Sequence, residues 1–316
     1  MEYTEFKEEM KKRIKEFLPE QYGDCRVDII PLRKNNGIMR DGLIIRGMES
    51  AVPALPLNDC YEAYKAGVSL KSILEQAAEV YTANLGTHNS FGAQVLEYGK
   101  AKEYLGVEVC NADKNAELLK SVPHERREDL ALIYCVRRPV GERGWESAVV
   151  NHGMLKHWNM EEQELKAEAW KNMKRNSPPA FSSIEAVITD MLSAQPKMQE
   201  EMKDLSSIPL YVLSNKEGTW GASYMFDSET MANIAEKLDS SLIILPSSIH
   251  EVLILSESAD MNMEISELQD MVRTVNQLEM KDAEVLSDNV YCFDREEQTV
   301  TMFQPSEPSQ GMNLNF

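Results

Sequence analysis

The chain has no uninterrupted run of 18 or more apolar residues, and its first residues, Met1-Glu2-Tyr3-Thr4-Glu5-Phe6-Lys7, lack the basic and apolar regions of a signal peptide. No membrane span or leader is expected, and the cytoplasm is the expected compartment. Cysteine is scarce. Cys25, Cys60, Cys110, Cys135 and Cys292 are odd in number, widely separated and without a Cys-x-x-Cys pair, which excludes a readable disulfide framework or zinc site and leaves reduced, largely structural thiols. Histidine is scarcer in useful spacings: His152 and His157 lie near Glu161, but two helical residues five apart diverge by about 140°, and there is no His-Glu-x-x-His pattern, so no metal site is expected. Gly218-Thr219-Trp220-Gly221 is a turn that matches neither glycine-rich phosphate-binding fingerprint, and no cofactor is expected. Basic residues are few as well, 33 Lys and Arg against 52 Asp and Glu for a net charge of −19. That balance argues against direct nucleic-acid binding, which draws its affinity from clustered cations releasing phosphate counterions.

What the chain does have is acid, unevenly spread. Between Glu257 and Glu297 there are 12 Asp or Glu against Arg273, Lys281 and Arg295. A solvated face is the plain reading, and an acidic surface that docks a basic protein partner is the sharper one.

Apolar periodicity organises the rest. Phe6, Met10, Ile14, Phe17 and Leu18 form one stripe of an opening helix that Pro19 ends. Val27 to Leu32 and Leu43 to Ile45 flank Asn35-Asn36-Gly37, a turn that tolerates positive φ and predicts a β-hairpin. Helices are expected over Leu57–Lys65, Ser69–Leu85, Gln94–Tyr104 and Asp113–Leu119. Leu130–Val136 reads as a strand covered on both faces, with Trp145–Val150 as its partner. Asn159 with Glu162 suggests a capping box for a helix over Met160–Met173, stopped at Asn176-Ser177-Pro178-Pro179. The segment 180–207 reads as a linker or insertion with a helical piece. A strand at Leu210–Leu213, a helix through Met231 to Leu238 capped by Asp227 or Ser228, a helix over Ile265–Leu278 and a last hairpin, Val290–Phe293 with Val300–Phe303, follow. The whole predicts an α+β fold with antiparallel or mixed sheets, helices packed on one side, and two subdomains over 1–125 and 126–303. A tail over 304–316 is expected to be disordered.

Two apolar runs, Leu242–Leu245 and Val252–Leu255, enclose the densest group of candidate site residues: Ser247, Ser248, His250 and Glu251. Serine, histidine and a carboxylate can form a nucleophilic triad. Here, in a strand, His250 and Glu251 would point to opposite faces, and no Gly-x-Ser-x-Gly elbow is present. The competing reading is a tight turn in which Pro246 fixes φ and the serines bond to nearby backbone. His124, in His124-Glu125-Arg126-Arg127-Glu128-Asp129 before the buried strand, is a further candidate ligand contact, against a mutually neutralising charged loop.

These segments together resemble an uncharacterised bacterial, Firmicutes-type domain-of-unknown-function family whose hallmark is Leu-Pro-Ser-Ser-Ile-His-Glu. The matching pieces are Lys34-Asn35-Asn36-Gly37 with Gly42-Leu43, Pro123-His124, Asp129-Leu130-Ala131, Trp158 with Glu162 and Leu165, Tyr211–Asn215, Gly221-Ala222, Leu245–Glu251 and Val285–Asp288. The chain departs from the family at Leu55-Pro56-Leu57-Asn58, which touches one local strand. The part from Met160 to Leu255 is also similar to a second uncharacterised bacterial family, which supports a boundary near 125. The resemblance implies no reaction, ligand or catalytic residue. A non-enzymatic cytoplasmic binding or regulatory protein is expected, in one form an accessory or anti-defence protein of a mobile element. The alternative is a small-molecule-binding enzyme or hydrolase with a site near His250 and Glu251, which requires those residues and His124 to converge in a pocket.

Overall fold

The computed structural model describes residues 1–46, 54–140, 144–187, 209–246, 248–258, 265–278 and 280–303. In chain order the elements are α1 (Tyr3–Arg13), β1 (Arg26–Arg33), β2 (Met39–Arg46), β3 (Ala54–Pro56), α2 (Leu57–Lys65), α3 (Leu70–Leu96), α4 (Tyr98–Ala101), β4 (Leu105–Asn111), α5 (Ala116–Leu119), β5 (His124–Arg127), β6 (Leu130–Val140), β7 (Gly144–Val149), α6 (His152–Trp158) and α7 (Glu162–Asn176). They continue as β8 (Pro179–Ser183), β9 (Leu210–Asn215), α8 (Ser228–Leu238), β10 (Leu242–Leu245), β11 (Val252–Ser256), α9 (Ile265–Leu278), β12 (Tyr291–Asp294) and β13 (Thr299–Met302). The fold is α+β, and the sheet pairings with a recorded register are antiparallel. No helix among the described residues is long and apolar enough to cross a membrane, and the expected tail 304–316 lies outside them.

Two units divide the chain: 1–104 with 136–161, and 105–135 with 162–316. Residue 125 therefore falls inside the second unit. In the first unit, β1, β2 and β3 form a sheet in that order. The hairpin turn is the expected one, with Asn36 at φ 59° and Gly37 at φ 68°, conformations that asparagine and glycine adopt at least cost. One face of β1 and β2 delivers Val27, Leu43 and Ile45 to a core filled by Phe6, Met10 and Ile14 and by Leu57, Leu74 and Tyr81. The Tyr81 hydroxyl donates to the Ile45 carbonyl at 2.6 Å, so the largest polar group of that core is satisfied. The unit also holds α6 and the pair formed by β7 with β6, whose residues from Val136 belong here.

Local readings are corrected at three places. The expected helices over Ser69–Leu85 and Gln94–Tyr104 are instead α3, a single helix to Leu96, followed by α4 and a 3₁₀ turn at Lys102–Tyr104. No proline interrupts 70–96 to force a break, and Ser69 is the cap, accepting from the Ser72 N–H at 3.1 Å. Asn159 does not cap the following helix. It sits in the left-handed region at φ 52° and closes α6, with the Met160 N–H reaching the Leu155 carbonyl at 3.1 Å, a Schellman-type ending. The charged segment at His124 is strand β5, paired with β6 in the register His124↔Ile133 to Arg127↔Leu130.

In the second unit the main sheet runs β13-β12-β10-β11-β9-β8. β10 is buried along its length, as a strand central in a sheet and covered on its faces must be. Leu268 and Val272 of α9 pack against Ile243, Leu245 and Leu255 of this sheet and against Val290 just before β12. β8 occupies what reads as linker in the sequence; residues 184–187 are helical, and 188–208 lie outside the described residues. A second sheet contains β4, β6 and β5; β4 goes unannounced in the sequence because Glu108 interrupts a short apolar run.

Candidate functional site

The segment 246–251 connects β10 to β11, which pair from Leu242↔Ser256 to Leu245↔Leu253. Ser247 lies outside the described residues. Ser248 bridges Val285, the Ile249 N–H donates to the Glu284 carbonyl at 3.0 Å, and the Ser287 N–H donates to the Pro246 carbonyl at 3.2 Å. The turn is thus stitched to the segment 284–287 by main-chain bonds. Ser248 is buried, and its Oγ accepts the His250 N–H at 3.0 Å, the serine-to-backbone bond expected of a turn.

His250 is also fastened by the end of β9 and the loop that follows it. Its carbonyl accepts both the Ser214 hydroxyl at 2.8 Å and the Gly221 N–H at 2.8 Å. Its Nδ1 accepts the Trp220 N–H at 3.2 Å, and the two rings lie 6.0 Å apart. Because a backbone N–H only donates, Nδ1 is the acceptor and the ring proton of the neutral imidazole resides on Nε2. The loop is shaped for this contact. Trp220 has φ 56°, Asn215 bonds the Thr219 carbonyl and N–H at 2.7 and 3.1 Å, and a Cβ on Gly221 would stand 2.4 Å from the Asn215 nitrogen and 2.6 Å from the Ser214 carbonyl carbon. Only glycine allows backbone to approach so closely. Glu251 is exposed and makes no hydrogen bond or ion pair among the described residues.

A second polar cluster shares Ser287 with this segment. Both carboxylate oxygens of Asp129 are occupied: Oδ2 accepts the Ser287 hydroxyl at 2.7 Å and the Asn289 Nδ2 at 3.1 Å, and Oδ1 accepts the Tyr291 hydroxyl. Its carbonyl takes the Ala112 N–H at 2.8 Å. Burial pushes the Tyr291 phenol upward from its ordinary value, and the bond to Asp129 and that residue's charge add to the rise. Asn111 Nδ2 reaches the Leu286 carbonyl at 3.1 Å, and Asn276 Nδ2 reaches the Ser287 carbonyl at 2.9 Å and Asp288 at 2.8 Å.

His124 is placed elsewhere. Its Nδ1 lies 3.0 Å from the Val122 carbonyl; a carbonyl can only accept, so Nδ1 carries the proton, the opposite tautomer to His250. No hydrogen bond or ring contact joins His124 to Ser248, His250 or Glu251 among the described residues. Beside it, Glu125 is held below the usual carboxylate range: burial alone would raise it, but the Lys166 bond and the charges of Arg127 and Lys166 outweigh that effect. The described residues contain no group of three or more His, Cys, Asp or Glu side chains arranged to share a metal.

Of the predicted site residues, Ser248 and His250 come together, joined through backbone. The bonds of the turn 248–250 run to the end of β9, to the loop 216–221 and to the segment 284–287, and clasp these pieces together. The Asp129 cluster was outside the predicted site: Ser287, Asn289 and Tyr291 alternate in the sequence, but it is a bend at 288–289 leading into β12, not a strand, that carries them to one acceptor.

The family model for a family of unknown function (DUF5688) matches residues 3–295, and the chain belongs to that family. No curated protein and no solved structure matches it.

Proposed function

We propose that this member of a family of unknown function is a cytoplasmic, non-enzymatic binding or regulatory protein whose second unit takes a basic protein partner on its acidic surface. The observation that carries this reading is the separation of charge. The first unit has 18 Lys and Arg against 19 Asp and Glu, a net of −1, and the second has 15 against 33, a net of −18. Nearly the entire charge of the chain thus belongs to one unit, where it costs self-repulsion and is available to steer association. Within 257–297 each of the three cations already has an acid: Arg273 pairs with Asp270 at 3.3 Å, Lys281 with Glu284 at 3.3 Å and Arg295 with Asp239 at 2.6 Å. They leave an excess of acid in that stretch.

In the narrower form, the partner is a nucleic-acid-binding protein of a defence system, and the carboxylates stand where phosphates would. The test is affinity capture with the full chain beside a variant carrying Glu257→Lys, Glu296→Lys and Glu297→Lys. The expected result is a basic protein retained by the native chain, released as salt is raised beyond physiological strength, and lost with the variant. Recovery of the same proteins by both chains at equal yield contradicts the reading.

A further inference from the structure

Helix α9 carries more apolar surface than the described residues of its unit cover. Leu268, Val272 and Asn276 face inward and are buried. Met271, Val275 and Leu278 remain 45%, 38% and 75% exposed. At about 100° per residue, 271, 275 and 278 fall within roughly 60° of one another. They form one continuous stripe beside the buried face, and Glu267, Thr274 and Asp270, the last paired with Arg273 at 3.3 Å, border it on the solvent side. An isolated exposed leucine is ordinary, whereas three large apolar residues at spacing four and three on a helix are the pattern by which one helix receives another.

We infer that this stripe is the seat for a positively charged amphipathic helix of another protein, whose apolar side chains rest on Met271, Val275 and Leu278 and whose Lys or Arg residues meet the acidic border. Charge selects this occupant. A second copy laid face to face on α9 would bring two units of net −18 together, and like-charge juxtaposition opposes that pairing. A cationic helix gains both from the stripe and from the net charge of −18 that the unit carries. The inference rests on the reading of the second unit as the binding surface and adds to it a location and a partner chemistry.

The experiment uses the full chain and two synthetic helical peptides of equal length and charge, one with Leu on one face and Lys on the other, the second with Ser at every Leu. Affinities are measured by fluorescence anisotropy at near-physiological salt. The native chain is expected to bind the Leu/Lys peptide at least about tenfold more tightly than the Ser/Lys peptide, and the pair Val275→Ser with Leu278→Ser to erase that difference while circular dichroism stays native. Leu278→Ser alone, at the exposed end of the helix, serves if the pair unfolds. If both peptides bind equally and only Glu257→Lys, Glu296→Lys and Glu297→Lys weaken them, the acidic-surface reading survives and the α9 seat is overturned. Binding of neither peptide even at low salt overturns both. A dimer in solution that Leu278→Ser dissolves overturns the seat in favour of a second copy.

Discussion

Asp129 gathers donors from three residues, Ser287, Asn289 and Tyr291, that lie 158 to 162 positions later in the chain. Hydrogen bonds to a charged acceptor contribute about 1.5 to 3 kcal/mol each, and removing the acceptor leaves its donors unsatisfied. Asp129→Asn, which turns donors toward donors, is therefore expected to lower stability by about 3 kcal/mol in urea denaturation, and Ser287→Ala by about 1 kcal/mol. Equal stability of Asp129→Asn and the native chain would remove the cluster from the description of what holds the second unit together. At this scale the sequence was half legible. The alternation of Ser287, Asn289 and Tyr291 is visible without a structure, but their acceptor is a long-range fact. His250 shows the same limit from the other side: a Ser-His-Glu group invites catalysis, and only the placement of Trp220, Ser214 and Gly221 shows which of its atoms are committed to backbone.

Helix ends were where local chemistry could be read furthest. Either Asp227 or Ser228 could cap α8 by residue type, and the structure selects Asp227, whose Oδ2 accepts from the Thr230 N–H at 3.1 Å and hydroxyl at 2.6 Å while Lys174 lies 2.8 Å from Oδ1. Asp227→Ala should cost about 1 to 2 kcal/mol, with Ser228→Ala nearly neutral; comparing thermal midpoints of the two variants checks the assignment. Strong periodicity made α1, α8, α9 and the hairpin of β1 and β2 legible, because an apolar stripe or an Asn-Gly turn specifies its element locally. Asn159 was misplaced because the same residue type closes one helix in the left-handed region or opens the next, and Met160, bonded back to Leu155, settles which. β5 and β8 were missed for a different reason: each is short and lacks an aliphatic run, and its partners rather than its own pattern make it a strand, whereas β4 was hidden by Glu108 within its apolar run.

Across the whole molecule, charge and titration give the most direct consequences. Burial, and then the charge of Glu108, pushes Cys110 up to about 12, and burial with the charges of Glu125 and Glu162 pushes Tyr134 up to about 12. Both shifts favour the protonated form in the folded state. In the unfolded chain a thiol ionises near about 8.5 and a phenol near about 10, so it is the unfolded state that gives up protons first. Stability from these groups is therefore complete below about pH 8.5 and declines as pH rises toward about 12. Urea midpoints measured from pH 7 to 11 are expected to be level at first and then to fall, the early part of the fall shrinking in Cys110→Ala. The composition made the acidity legible but not its separation between units, since each unit is assembled from discontinuous pieces of chain. The most direct test of the central claim, that Ser248 and His250 build the fold while binding belongs to the acidic surface, is thermal denaturation of the native chain and His250→Ala against a panel of metabolites, nucleotides and metal ions. The expected result is a variant less stable by about 1 kcal/mol, from the lost bond to the Trp220 N–H, with no compound stabilising the native chain alone. A compound that at about 100 times its dissociation constant adds roughly 2.7 kcal/mol to the native chain, and nothing to a folded His250→Ala, would make the clasp a ligand site and contradict the claim.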